Sequence, residues 1–134
     1  MPIASSLLKK PRLVEKLRDF YSYVQKNDGK VGIKTRGIDL NFNNACNLRC
    51  KYCFTNSPKG DHVKEYLDLS AIKNLADEAD QLGYFEFDLQ GGELLLQPEK
   101  LFSILEVIRP ERFYLYVTTN GFYLDQKIAT KLAE

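Results

Sequence analysis

Apolar residues in the first quarter of the chain recur at a helical spacing. Leu13, Leu17 and Phe20 are three or four positions apart, a spacing that places side chains on one face of an α-helix. Pro11 stands near the start of this pattern and Asn27-Asp28-Gly29 follows it, and such residues are typical of helix beginnings and ends. The pattern predicts a leading helix.

Three later segments alternate apolar and polar residues instead. In the first, Leu40 and Phe42 alternate with Asp39 and Asn41, which predicts a β-strand with one apolar and one polar face. The segments from Tyr84 to Leu89 and from Arg112 to Thr118 are predicted as strands in the same way, with these residues at alternate positions: Glu86, Asp88, Tyr114 and Tyr116.

Helical patterns separate these strands. Ser70 is a good N-cap for a helix that ends at Gly83. Glycine is favoured there because helices commonly end at a residue with a left-handed backbone conformation. Pro98 opens a second helix, which Pro110 closes. A further helical pattern begins near Leu124.

This order of elements predicts an α/β fold with a parallel sheet, because parallel strands need a connection long enough to contain a helix. Parallel strands that are buried on both faces should be almost wholly apolar, and these are not. We therefore expect a curved sheet whose polar face lines a wet, concave interior. A half-solvated antiparallel sheet would give the same alternation and is the alternative.

Size and charge narrow the classes of function. The 134 residues, 44% of them hydrophobic, suffice for one domain with a core. Nineteen basic against eighteen acidic residues give a net charge of +1, so a nucleic-acid partner is not expected. The sequence contains neither an apolar run of bilayer length nor the pattern of a signal peptide, which predicts a cytoplasmic protein without a membrane partner.

The three cysteines of the chain, Cys46, Cys50 and Cys53, fall within eight residues. Soft sulfur ligands this close select an iron–sulfur cluster or zinc. A cubane cluster held by three thiolates leaves one iron without a protein ligand, which is an open position for chemistry. The alternative is a zinc site in which His62, the only histidine, is the fourth ligand.

The cysteine spacing C-x-x-x-C-x-x-C, with Tyr52 before the last cysteine, resembles the signature of the radical S-adenosylmethionine (radical SAM) superfamily. Gly91-Gly92-Glu93 is similar to that family's turn after the second strand. Thr118-Thr119-Asn120-Gly121 is similar to a motif often found after the third. The resemblance spans roughly Gly37 to Asn120.

The resemblance implies a partial (βα) barrel of the radical SAM type. The family barrel has six βα units, and about three are visible here after the N-terminal helix. We accordingly expect a helical lead-in over residues 1–34 and the first half of a radical SAM core over 35–134. Because the sequence stops inside a helical pattern at Lys131 to Glu134, a truncated core is the expectation.

The resemblance also implies two cofactors, a 4Fe-4S cluster and S-adenosylmethionine (SAM). The cysteines would be the cluster ligands, and Glu93 would meet the amino group of SAM. The family usually has proline after this glutamate, whereas this chain has Leu94. The expected metal ligands are Cys46, Cys50 and Cys53, and the expected cofactor-binding residues are Tyr52, Gly91, Gly92, Glu93, Thr118, Thr119 and Asn120.

Alternatives remain for several of these residues. Without the cysteines, Gly91-Gly92-Glu93 is a tight turn with a solvated carboxylate, and Thr118 to Asn120 are residues that a strand-to-helix turn requires. Tyr52 is expected either to pack on adenine or to shield the cluster.

The implied activity is that of a radical SAM enzyme acting on a peptide or a small natural product. An electron donor such as flavodoxin or ferredoxin would be its partner. A truncated or non-catalytic module that binds zinc or a cluster is the alternative.

Overall fold

The computed structural model of the chain describes residues 9–32, 34–55 and 67–133. Helices and strands alternate along it, with short 3-10 turns at Leu94–Leu96 and Pro110–Arg112. In chain order the elements are α1 (Pro11–Lys26), β1 (Gly37–Asn43), α2 (Leu69–Gln81), β2 (Glu86–Gly91), α3 (Pro98–Ile108), β3 (Tyr114–Val117) and α4 (Gln126–Ala133).

The strands form one parallel sheet in the order β1-β2-β3. Asp39 on β1 pairs with Asp88 on β2, which pairs in turn with Tyr116 on β3. The predicted α/β fold with three βα units is therefore confirmed, and the antiparallel alternative is wrong. The sheet is not closed, which is consistent with a partial radical SAM barrel after an N-terminal helix.

The two faces of the sheet differ as the alternation predicts. Leu40, Phe42, Phe87 and Leu89 are buried in the main core, where α2 and α3 supply the opposing apolar layer through these residues: Ile72, Ala76, Ala79, Leu101, Ile104 and Ile108. The other face carries the polar residues, and Asp39 and Asn41 on it are exposed. Burial on one side and solvent on the other explain the period of two.

Helix α1 packs at the amino-terminal ends of the strands. Leu13 and Phe20 form a second small core with Phe85, and the Phe20 and Phe85 rings meet edge to face with centroids 5.0 Å apart. The buried Lys16 Nζ lies 2.5 Å from an Asp80 carboxylate oxygen and donates to the Arg112 carbonyl at 3.0 Å. The helix thus covers the end of the sheet opposite the three loops described below.

Some boundaries differ from prediction. The cap of α2 is Asp68, whose side chain accepts a bond from the Ser70 backbone N–H at 3.3 Å, so the expected cap at Ser70 was two residues late. Strand β2 begins at Glu86 rather than Tyr84, because the backbone N–H of Tyr84 bonds to the Ala79 carbonyl and closes α2. The left-handed Gly83 in this closure, with φ of 78°, is as predicted.

Strand β3 begins at Tyr114 rather than at Arg112, because the Arg112 side chain binds the end of α3. Its guanidinium donates to the carbonyl of Ile108 at 2.8 and 3.2 Å and to Asp77 at 2.7 Å. The side chain therefore caps the end of α3 and ties it to α2. Among the described helices, none has the length and apolar character needed to cross a membrane.

Candidate metal and cofactor site

The three motifs that the sequence singles out all lie at the carboxyl ends of the parallel strands. The cysteine loop follows β1, Gly91-Gly92-Glu93 ends β2, and Thr118-Thr119-Asn120 follows β3. In parallel α/β folds this edge is where ligands bind. The structure also joins the three loops by direct hydrogen bonds.

The glycine turn is fastened to the chain just before Cys46. The N–H of Gly92 donates to the Asn43 carbonyl at 2.9 Å, and that of Glu93 donates to the Ala45 carbonyl at 2.7 Å. A Cβ on Gly92 would lie 1.9 Å from the Ala45 oxygen. A Cβ on Gly91, whose φ is 152°, would lie 2.2 Å from the Asn43 oxygen. The glycines thus allow a close approach to the cysteine loop, and their expected approach to a ligand stays a prediction.

Glu93 is fully buried, with 0% of its surface exposed. Its Oε1 accepts bonds from the Leu95 N–H at 2.7 Å and the Thr119 hydroxyl at 2.6 Å, and its Oε2 accepts one from the Asn120 N–H at 2.8 Å. The alternative of a solvated carboxylate is wrong. The bond to Leu95 also explains how the turn holds its shape with Leu94 in place of proline.

The two threonines after β3 have different partners. Thr119 belongs to the Glu93 network, whereas the Thr118 hydroxyl donates to Asp88 Oδ1 at 3.2 Å on the polar face of the sheet. The two side chains therefore lie in separate places. Thr119 lies at the junction of the three loops, where it binds Glu93, and Thr118 lies on the polar face of the sheet.

Asn120 completes the junction by reaching the cysteine loop. Its Nδ2 lies 2.9 Å from Asn47 Oδ1 and 3.9 Å from Cys46 Sγ, and the same sulfur accepts a bond from the Leu48 N–H at 3.4 Å. Sequence reasoning missed Asn47, because an asparagine between two cysteines carries no signal of its own.

The three thiols differ in exposure. Cys46 is 9% exposed, while Cys50 and Cys53 are on the surface. In the part of the chain that the structure describes, no three His, Cys, Asp or Glu side chains are arranged to hold a metal. The segment from Cys50 to Cys53 is a turn, closed by a Cys53 N–H bond to the Cys50 carbonyl at 3.2 Å. The exposed turn would have to draw in toward Cys46 to form a three-sulfur site.

Two observations bear on whether the residues fit the implied cofactors. The donor set is three soft sulfurs, one of which already accepts N–H bonds, as ligands of iron–sulfur clusters do. Asn43 Oδ1 is the one buried side-chain oxygen or nitrogen without a partner among the described residues, and it lies three residues before Cys46. A buried acceptor without a donor requires an explanation. A bound polar ligand, or the cysteine loop once its turn draws in, would give this oxygen a donor.

Two of the sequence predictions are not decided by these contacts. Tyr52 is 95% exposed, so its packing on adenine and its shielding of a cluster both stay predictions. His62, the fourth ligand of the zinc alternative, lies outside the described residues.

The polar face of the sheet borders an open groove of about 470 Å³, lined by Asp39, Asp88 and Tyr116 among others. Arg36 pairs with Glu86 at 2.8 Å, and this hydrogen bond and charge raise the pKa of Arg36. Burial and the neighbouring Glu86 charge raise the pKa of Tyr116. The groove presents hydroxyl and carboxylate groups toward the amino-terminal half of the polar face. Asp88, which accepts from Thr118, links this face to the loop after β3.

Comparison with known protein families agrees with this arrangement. The Radical SAM superfamily profile matches residues 40–134, which is more than half of the chain. The match includes the cysteine loop and both of the other loops. The chain belongs to the radical SAM superfamily.

Curated relatives with different activities share this region. The S-adenosylmethionine-dependent nucleotide dehydratase of Fibrobacter sp. is 29% identical over 71% of this chain and 30% of its own length. The GTP 3',8-cyclase of Yersinia pestis is 34% identical over 69% and 28%, and the mycofactocin maturase MftC of Mycobacterium tuberculosis is 28% identical over 66% and 22%. The matched region spans about a third or less of each of these proteins.

Proposed function

We propose that this chain is the cluster-binding and SAM-binding part of a radical SAM enzyme. Cys46, Cys50 and Cys53 would hold three irons of a 4Fe-4S cluster, and SAM would bind at the fourth. When bound and reduced, such a cluster would supply the electron for cleavage of SAM to methionine and a 5′-deoxyadenosyl radical, the species that would abstract hydrogen from the substrate.

One observation carries this proposal. Loops from three successive strands meet around Cys46. The Gly92 and Glu93 N–H groups bond to the chain just before this cysteine, and the Asn120 amide reaches its sulfur. A loop that bound a structural metal alone would need no such connection to neighbouring strand ends. The arrangement supports a site in which the loop, the glycine turn and the third loop act on one ligand.

Within this proposal the residues of the glycine turn have two roles. Glu93 first fixes the turn and the third loop through its three internal bonds. Among the described residues, its Oε2 accepts a single bond. A lone pair would remain for the amino group of SAM once the turn opens to admit it. Thr119 and Asn120 would then lie beside the same cofactor, and Tyr52 would cover it from the exposed side.

The substrate that we propose is a peptide or a small natural product, held against the polar face of the sheet. The exposed carboxylate of Asp39 and the hydroxyl of Tyr116 offer hydrogen-bonding groups there. The electron would come from a protein such as flavodoxin or ferredoxin. We propose the cytoplasm as the location, because exposed thiols such as Cys50 and Cys53 stay reduced there.

Anaerobic reconstitution with iron and sulfide tests the proposal. The unaltered protein should turn brown, with broad absorbance at about 400 nm from sulfur-to-iron charge transfer. After reduction, its electron paramagnetic resonance (EPR) spectrum should change when SAM is added. Cys46→Ala, Cys50→Ala and Cys53→Ala should each lose the cluster and SAM cleavage together.

The controls separate loss of the cluster from loss of the fold. Cys50 and Cys53 are exposed, so their alanine variants should keep the circular dichroism spectrum of the metal-free protein. Retention of SAM cleavage by any cysteine variant would contradict the proposal. So would anaerobically purified protein that carries zinc and stays colourless, which is the result that a non-catalytic zinc-binding module predicts.

A further inference from the structure

The structure points to a specific role for Asn120, and this inference rests on the proposed cluster. We propose that the Asn120 side chain is a positioning residue that donates an N–H···S hydrogen bond to the Cys46 thiolate and so raises the reduction potential of the cluster. The role differs from the contact with SAM that the motif predicts.

The Asn120 amide contacts the cysteine loop directly. Asn120 Nδ2 is 3.9 Å from Cys46 Sγ and 2.9 Å from Asn47 Oδ1. A primary amide has two hydrogens, so one can be directed at each partner. The Leu48 N–H, 3.4 Å from the sulfur, is a second donor, and Cys46 thus has a donor from its own loop and one from the loop after β3.

The orientation of the Asn120 amide is fixed by further hydrogen bonds. Asn120 Oδ1 accepts a bond from the Phe122 N–H at 2.9 Å, and the Asn120 N–H is held by Glu93 Oε2 at 2.8 Å. Exchanging the amide oxygen and nitrogen would break the bond to Phe122 and place an oxygen against the sulfur. The nitrogen is therefore the atom that faces Cys46.

The burial of Cys46 strengthens the effect of this hydrogen bond. Cys46 is 9% exposed, whereas Cys50 and Cys53 are exposed. A hydrogen bond counts for more where water is excluded, because the effective dielectric is lower. Of the three thiolates, Cys46 is the one at which a neighbouring N–H dipole has the largest effect.

The consequence for the cluster follows from charge. Adding one electron makes the cluster and its thiolates more negative, and a donor hydrogen bond stabilises the more negative form more strongly. Hydrogen bonds to the sulfurs are one of the factors that set the potentials of iron–sulfur clusters. Removal of the Asn120 donor should make the cluster harder to reduce.

Asn120→Asp is the most direct variant, because it keeps the oxygen that accepts from Phe122 and loses both side-chain N–H groups. Asn44→Asp is the matched control, since Asn44 is exposed two residues before Cys46 and the change adds the same charge without removing this donor. The reconstituted proteins are compared by EPR-monitored redox titration without SAM, with iron and sulfide measured in each sample.

We expect normal iron and sulfide content in both variants and a midpoint potential that is more negative in Asn120→Asp than in Asn44→Asp. Equal potentials in the two variants would overturn the inference. So would a folded Asn120→Asp protein that binds no cluster, because Asn120 would then be needed for assembly rather than for tuning.

Asn120→Ser is measured beside both variants, because it removes the donor without placing a negative charge next to the sulfur, and it replaces Asn120→Asp if that protein does not fold. The serine hydroxyl can accept from Phe122 but is too short to reach the sulfur, so the same negative shift is expected and an unchanged potential overturns the inference. The unaltered protein separates the two levels of proposal. Failure of that protein to bind a cluster contradicts the proposed function, whereas a normal cluster with no shift in the variants contradicts only the role of Asn120.

Discussion

Glu93 is a fully buried carboxylate at the meeting point of the three loops. Its side chain accepts three hydrogen bonds from its own chain, although a place after two glycines predicts an exposed or ligand-facing carboxylate. Buried carboxylates persist when their acceptor positions are filled by donors. The residue therefore holds the loops in place even in the protein without a cofactor.

This burial predicts the effect of removing the side chain. Glu93→Ala leaves the Leu95 N–H, the Thr119 hydroxyl and the Asn120 N–H without their partner, which should lower the free energy of unfolding by about 3 kcal/mol. Urea unfolding of the metal-free protein measures the change. Glu93→Gln, which keeps one acceptor oxygen and the shape of the side chain, should lose less, and equal stability of the alanine variant and the unaltered protein would contradict the network.

At the scale of the elements, the sequence predicted each of the helices and strands in its correct order. Hydrophobic periodicity carried most of this information, because each element buries one face against another. The errors were at boundaries. Arg112 was predicted to begin β3, but its guanidinium caps the end of α3. Tyr84 was predicted to begin β2, but its N–H bonds to the Ala79 carbonyl at the end of α2. Both contacts are local, but they depend on the geometry that each turn adopts, which hydrophobic periodicity does not specify.

The ion cluster between α1 and α2 was likewise not predicted. Asp80 lies 2.5 Å from the buried Lys16 Nζ and 3.3 Å from Arg12 Nε. Burial alone raises the pKa of Asp80, but the hydrogen bond and charge of Lys16, together with Arg12, outweigh it and hold that pKa below its ordinary value. The carboxylate thus stabilises the docking of α1 as long as it is ionised.

The sign of the pH dependence follows from this lowered pKa. Asp80 contributes its full stabilisation above the pKa of the unfolded chain, about 3.9, and loses it as the pH falls through the folded-state value. Asp80→Asn should therefore be less stable than the unaltered protein at pH 7, and the difference should shrink toward pH 2. Urea unfolding across this range provides the measurement.

Asp19→Asn is a suitable comparison for this experiment, because Asp19 lies on the exposed side of α1 and its nearest described cation is Arg18 at 3.7 Å. Its unfolding free energy should follow that of the unaltered protein at all pH values. A constant difference between Asp80→Asn and the unaltered protein from pH 7 to pH 2 would show that Asp80 does not act through its charge.

At the scale of the whole molecule, the sheet has an unpaired edge at β3 among the described residues. The N–H groups of Tyr114 and Thr118 donate inward to the carbonyls of Phe85 and Leu89, so the alternation of a parallel ladder directs those of Leu115 and Val117 outward. A groove of about 930 Å³ lies along this edge, between β3, α3 and α4, with an apolar wall formed by Phe102, Leu105, Leu115, Val117 and Leu132. An exposed edge of this kind favours pairing between chains.

The edge predicts self-association of this chain at high concentration. Val117→Pro removes one outward N–H without touching the bonds to β2, so it should reduce the self-association measured by analytical ultracentrifugation while the circular dichroism spectrum is kept. Tyr116→Pro, which removes an inward N–H, should instead disrupt the sheet. Equal self-association of Val117→Pro and the unaltered protein would show that the β3 edge is not the contact.

The sequence also predicted which loops form the candidate site, because motifs at the ends of parallel strands share one edge of a sheet. It did not predict how they are joined. The bonds of Gly92 to Asn43, of Glu93 to Thr119, and of Asn120 to Asn47 connect positions 26 to 73 residues apart, and no spacing rule contains them.

The linkage of the three loops through the turn at Gly92 and Glu93 bears on how the protein can be engineered. Substitutions in residues that share partners are not additive, so a favourable change at Asn120 depends on the state of Glu93 and of the chain before Cys46. Libraries that vary one motif at a time would contain mostly variants in which the hydrogen bonds between the loops are lost. Productive variants should come from randomising the three strand ends together, with selection for epistatic pairs.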